Sequence, residues 1–208
     1  MLLLLAVAGC SPPALVPGDA EVVPDDPTED TPYVTPPTEC GVGLMFVRGG
    51  MGEDAFAPVA EGDIVALQHG PTGGWRIHTA LDVANSSGTV WILTTVTLLA
   101  TGQVISGLQG DLDANNMIVQ LVSTGECRGE MWGARAELND FAPTEQYDSG
   151  RATIDDICAI YGQSARIAWT VTDLIDGRVA ETSVEVVIAP DPFEYSECPP
   201  SGEDTGSP

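Results

Sequence analysis

Two histidines, a run of alternating Asp and Asn, and neighbouring carboxylates are the residues of this 208-residue chain whose types suit chemistry. In Gly110-Asp111-Leu112-Asp113-Ala114-Asn115-Asn116, the residues Asp111, Asp113 and Asn115 stand at alternate positions, as the first ligands of a calcium loop do. The pattern then departs, with Asn116 where such a loop needs a turning Gly and Val122 where it needs a bidentate Glu. Asp and Asn equally suit an ordinary turn. The expectation is a loop between strands, a weak metal candidate, and no resident cofactor. A hairpin centred near Pro71-Thr72 pairs His69 close to Gly74 and leaves His78 further down the ladder. Two such histidines share no metal, and each is expected at a surface or a sheet edge. Asp155-Asp156 is a carboxylate pair, but a glycosidase needs its pair across a cleft, and so acidic a chain makes neighbours by composition. No Gly-x-Ser-x-Gly, His-Glu-x-x-His or nucleotide-binding loop occurs, so no catalytic residue is assigned.

The strongest single signal is a cysteine. Leu2 to Ala8 are apolar and far short of a bilayer span, and the run stops at Val7-Ala8-Gly9-Cys10. This resembles the lipobox of bacterial lipoproteins. The resemblance implies a diacylglyceryl thioether on Cys10, cleavage before it, and acylation of the new amine. Residues 1–9 are then a signal peptide, and two or three acyl chains make a firm membrane anchor, at about 0.8 kcal/mol per buried methylene. No Lys or Arg precedes the run, a departure that a start codon upstream of Met1 explains. Ser11 after Cys10 resembles the sorting signal for the outer membrane.

Charge and proline divide the remainder of the chain. Segment 11–39 holds eight of the sixteen prolines and seven acids with no base, and reads as a self-repelling spacer. A domain is expected over 40–198 and a solvated tail over 199–208. There is no lysine, and the net charge is −24, which excludes nucleic-acid partners because phosphates need cationic neutralisation. With Cys10 lipidated, Cys40, Cys127, Cys158 and Cys198 form an even set, as in exported proteins with two disulfides. Three pairings exist, of which Cys127 with Cys158 and Cys40 with Cys198 is the preferred one.

The elements that must carry these residues read as strands. In WRIHTALDV, Trp75, Ile77, Thr79, Leu81 and Val83 alternate with Arg76, His78 and Asp82, the pattern of a half-buried strand. VWILTTVTLL (90–99) is apolar on both faces and reads as a central strand covered on both sides. ARIAWTVTD and VAETSVEVVIA flank Asp176-Gly177, a hairpin turn. DIVALQ (63–68), NMIVQLVS (116–123) and MWGARAEL (131–138) complete the set. Seven or eight short strands predict an all-β fold, an antiparallel two-sheet sandwich of immunoglobulin-like architecture. Gly70 to Gly74 is expected to be a structural corner, with an anion-binding nest as the alternative.

Gly50, Gly52 and Phe56, then His69-Gly70-Pro71-Thr72-Gly73-Gly74-Trp75, Cys127, Cys158, and Thr172-Asp173…Asp176-Gly177-Arg178-Val179-Ala180 resemble a myxobacterial-type lipoprotein family. Its pattern runs GxGxxxF, then hGPQGGwH, then a late tDxdGRva hairpin. Thr72 and Arg76 depart from its Gln and His. The resemblance implies an envelope lipoprotein and brings no activity with it. The expected function is a lipid-anchored, non-enzymatic module for binding, adhesion or envelope structure. The competing readings are an envelope hydrolase acting through acidic residues, and a calcium- or small-ligand-binding surface.

Overall fold

A computed structural model of the chain describes residues 40, 41, 43–70, 74–107, 116–141, 150–189 and 198. Two six-stranded sheets pack into a sandwich, with elements numbered along the chain. In spatial order the first sheet holds β2 (Ala57–Pro58), β1 (Phe46–Met51), β5 (Trp75–Ala84), β10 (Arg128–Glu137) and β9 (Val122–Gly125), with β4 (Gln68–His69) also paired to β5. The second holds β3 (Ile64–Ala66), β12 (Val179–Ala189), β11 (Ser164–Asp173), β6 (Thr89–Leu98) and β7 (Val104–Ser106), with β8 (Asn116–Gln120) also on β6. Every pairing among the described residues is antiparallel except that of β3 with β12, which is parallel. The all-β sandwich expected from strand periodicity is the fold, with that one parallel edge as a departure.

The core follows from alternation. Ile77, Leu81 and Val83 of β5 are buried together with Val90, Ile92 and Val96 of β6 and with Ile167, Trp169 and Val171 of β11. Trp169 requires Gly49 on β1: a Cβ there would lie 2.2 Å from the indole ring. Two expected strands are each broken in two by a buried leucine. In 63–68, β3 pairs in the second sheet, Leu67 is fully buried, and β4 pairs in the first. In 116–123, β8 lies in the second sheet, Leu121 is buried at the corner, and β9 begins at Val122 in the first. Each leucine occupies the core at the point where the backbone changes sheets.

Three expectations are corrected. The apolar β6 is central in its sheet but buried on one face only, with Trp91, Leu93, Thr95 and Thr97 half-exposed outside. The half-polar β5 is instead buried on both faces from Ile77 to Val83. Apolarity thus misplaced the doubly covered strand, because loop segments and neighbouring arginines, not a third layer, cover β5. The third correction is a helix, α1 (Ile154–Ile160), in a region read as strands. Thr153 and Asp156 form its capping box: Thr153 Oγ1 accepts from the Asp156 amide, and Asp156 Oδ2 accepts from the Thr153 amide at 2.8 Å. Such a cap stabilises by about 1 kcal/mol, and the helix buries Ile157 and Ile160. Asp156 is the N3 partner of Thr153 in that capping box.

Candidate functional site

The outer face of the first sheet gathers the ionisable side chains that β5 projects away from the core. Register places Arg48 of β1 and Glu130 of β10 beside Asp82, and Arg135 of β10 beside His78. Asp82 is 3% exposed. Its carboxylate accepts from Arg48 Nη2 at 2.8 Å, from Arg128 Nε at 2.6 Å, and from Arg128 Nη2. The Arg128 hydrogen bond, above all, holds the Asp82 carboxyl below its ordinary range despite burial. Arg48 also lies over the Phe56 ring, 5.0 Å from its centre.

His78 is different. It is buried, and neither ring nitrogen has a hydrogen-bond partner among the described residues. Segment Gly52–Phe56 lies over it: the Gly52 amide donates to the His78 carbonyl at 3.3 Å, and the Gly133 amide donates to the Gly52 carbonyl at 2.9 Å. Glu53 Oε2 stands 3.5 Å from Nδ1. Burial pushes the imidazole below its ordinary pKa, with Arg76 and Arg135 acting in the same direction and Glu53 and Asp54 opposing. The surface histidine expected from alternation is a buried one. His69 is exposed and pairs with Trp75, its ring 4.9 Å from the indole, so the two histidines belong to opposite faces of the first sheet.

One end of the sandwich is tied together around Cys40, Gly41, Gly43 and Leu44. Cys40 is disulfide-bonded to Cys127 in the β9–β10 turn. The Gly41 amide donates to Asn85 Oδ1 at 3.0 Å, and Asn85 Nδ2 donates to the Leu44 carbonyl at 2.9 Å. Asn85 does this from the left-handed region, φ 62°, which its short amide tolerates better than most side chains. Arg178, from the β11–β12 turn, donates through Nη1 to the Gly43 carbonyl at 3.0 Å and through Nε to Asp176 Oδ2 at 2.8 Å. Asp173 is fully buried and accepts from the Ser87 amide and hydroxyl, both at 2.6 Å, and from the Ile175 amide at 2.9 Å. Burial alone raises the Asp173 pKa; the hydrogen bonds from Ser87 and Ile175 outweigh it and leave the group lowered. Three turns thus converge on Cys40, Gly41, Gly43 and Leu44. The Asp-Gly hairpin is as expected, with Gly177 at φ 73°.

The second disulfide, Cys158–Cys198, lies at the opposite end. All four cysteines are therefore bonded, but not in the preferred pairing. The reason is β10: its ten residues separate Cys127 from the α1 end of the sandwich by about 33 Å, whereas a disulfide needs Cα atoms within about 7 Å. Two disulfides are the chemistry of an extracytoplasmic, oxidising compartment. Among the described residues no helix is long and apolar enough to cross a membrane. Also among them, no group of three or more His, Cys, Asp or Glu is placed to hold a metal. Cys10, Asp111, Asp113, Asn115 and the 71–73 corner lie outside the described residues.

No family model matches the chain, and no curated protein matches it. Among solved structures it is similar to the CooA pilin subunit from enterotoxigenic Escherichia coli. The identity is 12% and the TM-score 0.31, over 70% of this chain and 99% of that one. A likeness of that degree says nothing about activity.

Two of the motifs behind the lipoprotein resemblance are parts of the cover over His78 and of the tie at Cys40, Gly41, Gly43 and Leu44, while residues 71–73 of the third lie outside the described residues. Gly50 lies under Phe56, whose ring would be 2.4 Å from a Cβ there, and Gly52 turns the segment at φ 141°. Asp173, Asp176 and Arg178 make the tie at the N-terminal end. Sequence reasoning had no measure of this, because a turn motif does not reveal which distant backbone it fastens.

Proposed function

We propose that the chain is a lipid-anchored lipoprotein of the bacterial outer membrane whose sandwich is displayed as a non-enzymatic module for binding, adhesion or envelope structure. The carrying observation is the convergence on Cys40, Gly41, Gly43 and Leu44. Three turns, one of them through a disulfide, grip the first described residues of the domain, where a tether from Cys10 would pull. A chain tugged from that side transfers load to the β5–β6, β9–β10 and β11–β12 turns before it can peel β1 from β5. Val7-Ala8-Gly9-Cys10 supplies the anchor in this reading, and segment 11–39 the stalk.

The use of carboxylates supports a module over a hydrolase. Asp82, Asp173 and Asp156 all serve as acceptors within the fold. A general acid needs a raised pKa, and both buried acids are lowered. The test is mass spectrometry of the N-terminal peptide with detergent phase partitioning of the native protein. A diacylglyceryl Cys10, and a shift of Cys10→Ala into the aqueous phase, are the expected results. An unmodified Cys10 overturns the anchor.

A further inference from the structure

The unpartnered imidazole of His78 needs an explanation, since buried polar atoms are normally hydrogen-bonded. Its side chain is 6% exposed, and Glu53 opposite is 63% exposed and stands 3.5 Å from Nδ1 without a hydrogen bond. Among the described residues, four charged groups face the ring. Glu53 and Asp54 belong to the covering segment, Arg76 to β5 and Arg135 to β10. Beside Ala80 and Thr79, β1 contributes only Gly50 and Met51, which do not titrate. The cover itself is lightly held. It hangs on the Gly52 and Gly133 hydrogen bonds, on the Phe56 ring over Gly50, and on the two-residue β2, whose Pro58 has no amide to donate. It also lies flush on the sheet, for a Cβ on Gly133 would be 2.8 Å from the Glu53 carbonyl oxygen.

We propose that Gly52–Phe56 is a proton-operated flap: it closes over neutral His78 and lifts when the imidazole is protonated, uncovering His78 and the underside of Phe56. An imidazolium has two N–H donors and needs two acceptors. The closed flap offers Glu53 to Nδ1 and nothing to Nε2, and it holds the new charge beside two guanidiniums. Water reaches both nitrogens once the flap lifts. Burial lowers the pKa of His78 in the closed form, so the closed form binds fewer protons than the open one. Closure is therefore favoured fully above the ordinary value of 6.5 and weakens as pH falls below it. The core strands β6 and β11 carry no histidine and do not take part.

The experiment is amide hydrogen exchange of the full chain, with NMR titration of the His78 ring, from about pH 7.5 to about pH 5. After correction for intrinsic rates, the Gly52 and Gly133 amides should lose protection by about tenfold for each unit of depression, while β11 amides keep theirs. His78→Leu should abolish this dependence. Glu53→Gln should enlarge it, because the stronger of the two carboxylates that favour the closed imidazolium is gone. Unchanged protection at pH 5, or His78 titrating at or above 6.5 in the closed form, overturns the flap. Should His78→Leu fail to fold, the wild-type ring titration decides on its own.

Discussion

Asp82 and His78 sit on the same face of the same strand, two side-chain repeats apart, and they have opposite fates. Both are buried polar side chains that a two-residue period would put in water. Asp82 is met by two arginines with half-exposed heads, so its charge is compensated and its burial is stable. His78 is met by a loop, and neither nitrogen is satisfied. A strand pattern tells which side of a sheet a residue occupies. What lies over that side decides whether a polar group there is a fastening or a weak point.

The sharpest way to break this comparison is to remove covalent support from the satisfied region. Cys127→Ser opens a bridge between residues 87 apart, which the chain-entropy model values at about 4.6 kcal/mol, so a large drop in the urea midpoint is expected. Asp82→Ala comes next, at about 2–3 kcal/mol, since it strands two arginines that can still reach water. Gly50→Ala should cost about 1–3 kcal/mol and act locally, pushing Phe56 off the sheet and raising Gly133 amide exchange already at neutral pH. His78→Leu should cost less than about 1 kcal/mol or stabilise, because it removes an unsatisfied polar group; a loss matching that of Asp82→Ala would erase the distinction. The smallest effect is the pH profile. From His78, stability is full above 6.5 and declines below it, whereas the lowered Asp82 and Asp173 contribute fully above 3.8 and lose their contribution as pH falls through their folded values. Equilibrium unfolding against pH should show two separate falls.

Much of the fold was legible. The alternation in ARIAWTVTD and VAETSVEVVIA located β11 and β12, and Asp176-Gly177 marked the turn between them. Thr153-x-x-Asp156 before an apolar run is an equally readable helix start, masked because the surrounding strands dominate the pattern. The breaks at Leu67 and Leu121 were not readable, since an uninterrupted apolar alternation looks the same whether it stays in one sheet or crosses to the other. Nor could spacing choose among three cysteine pairings.

Local chemistry, then, was set by the order of residues alone. Side-chain period gave strands, the Asp-Gly pair gave a turn, and four cysteines in an exported-type chain gave two disulfides. Tertiary structure decided everything that depends on meeting: Cys40 with Cys127, Asp82 with Arg48 and Arg128, and His78 with a loop that leaves it unpaired. The reason is one of range. Periodicity and turn propensity act over a few residues, whereas burial and hydrogen bonding are settled by groups from distant parts of the chain that only the packed sheets bring within 3 Å.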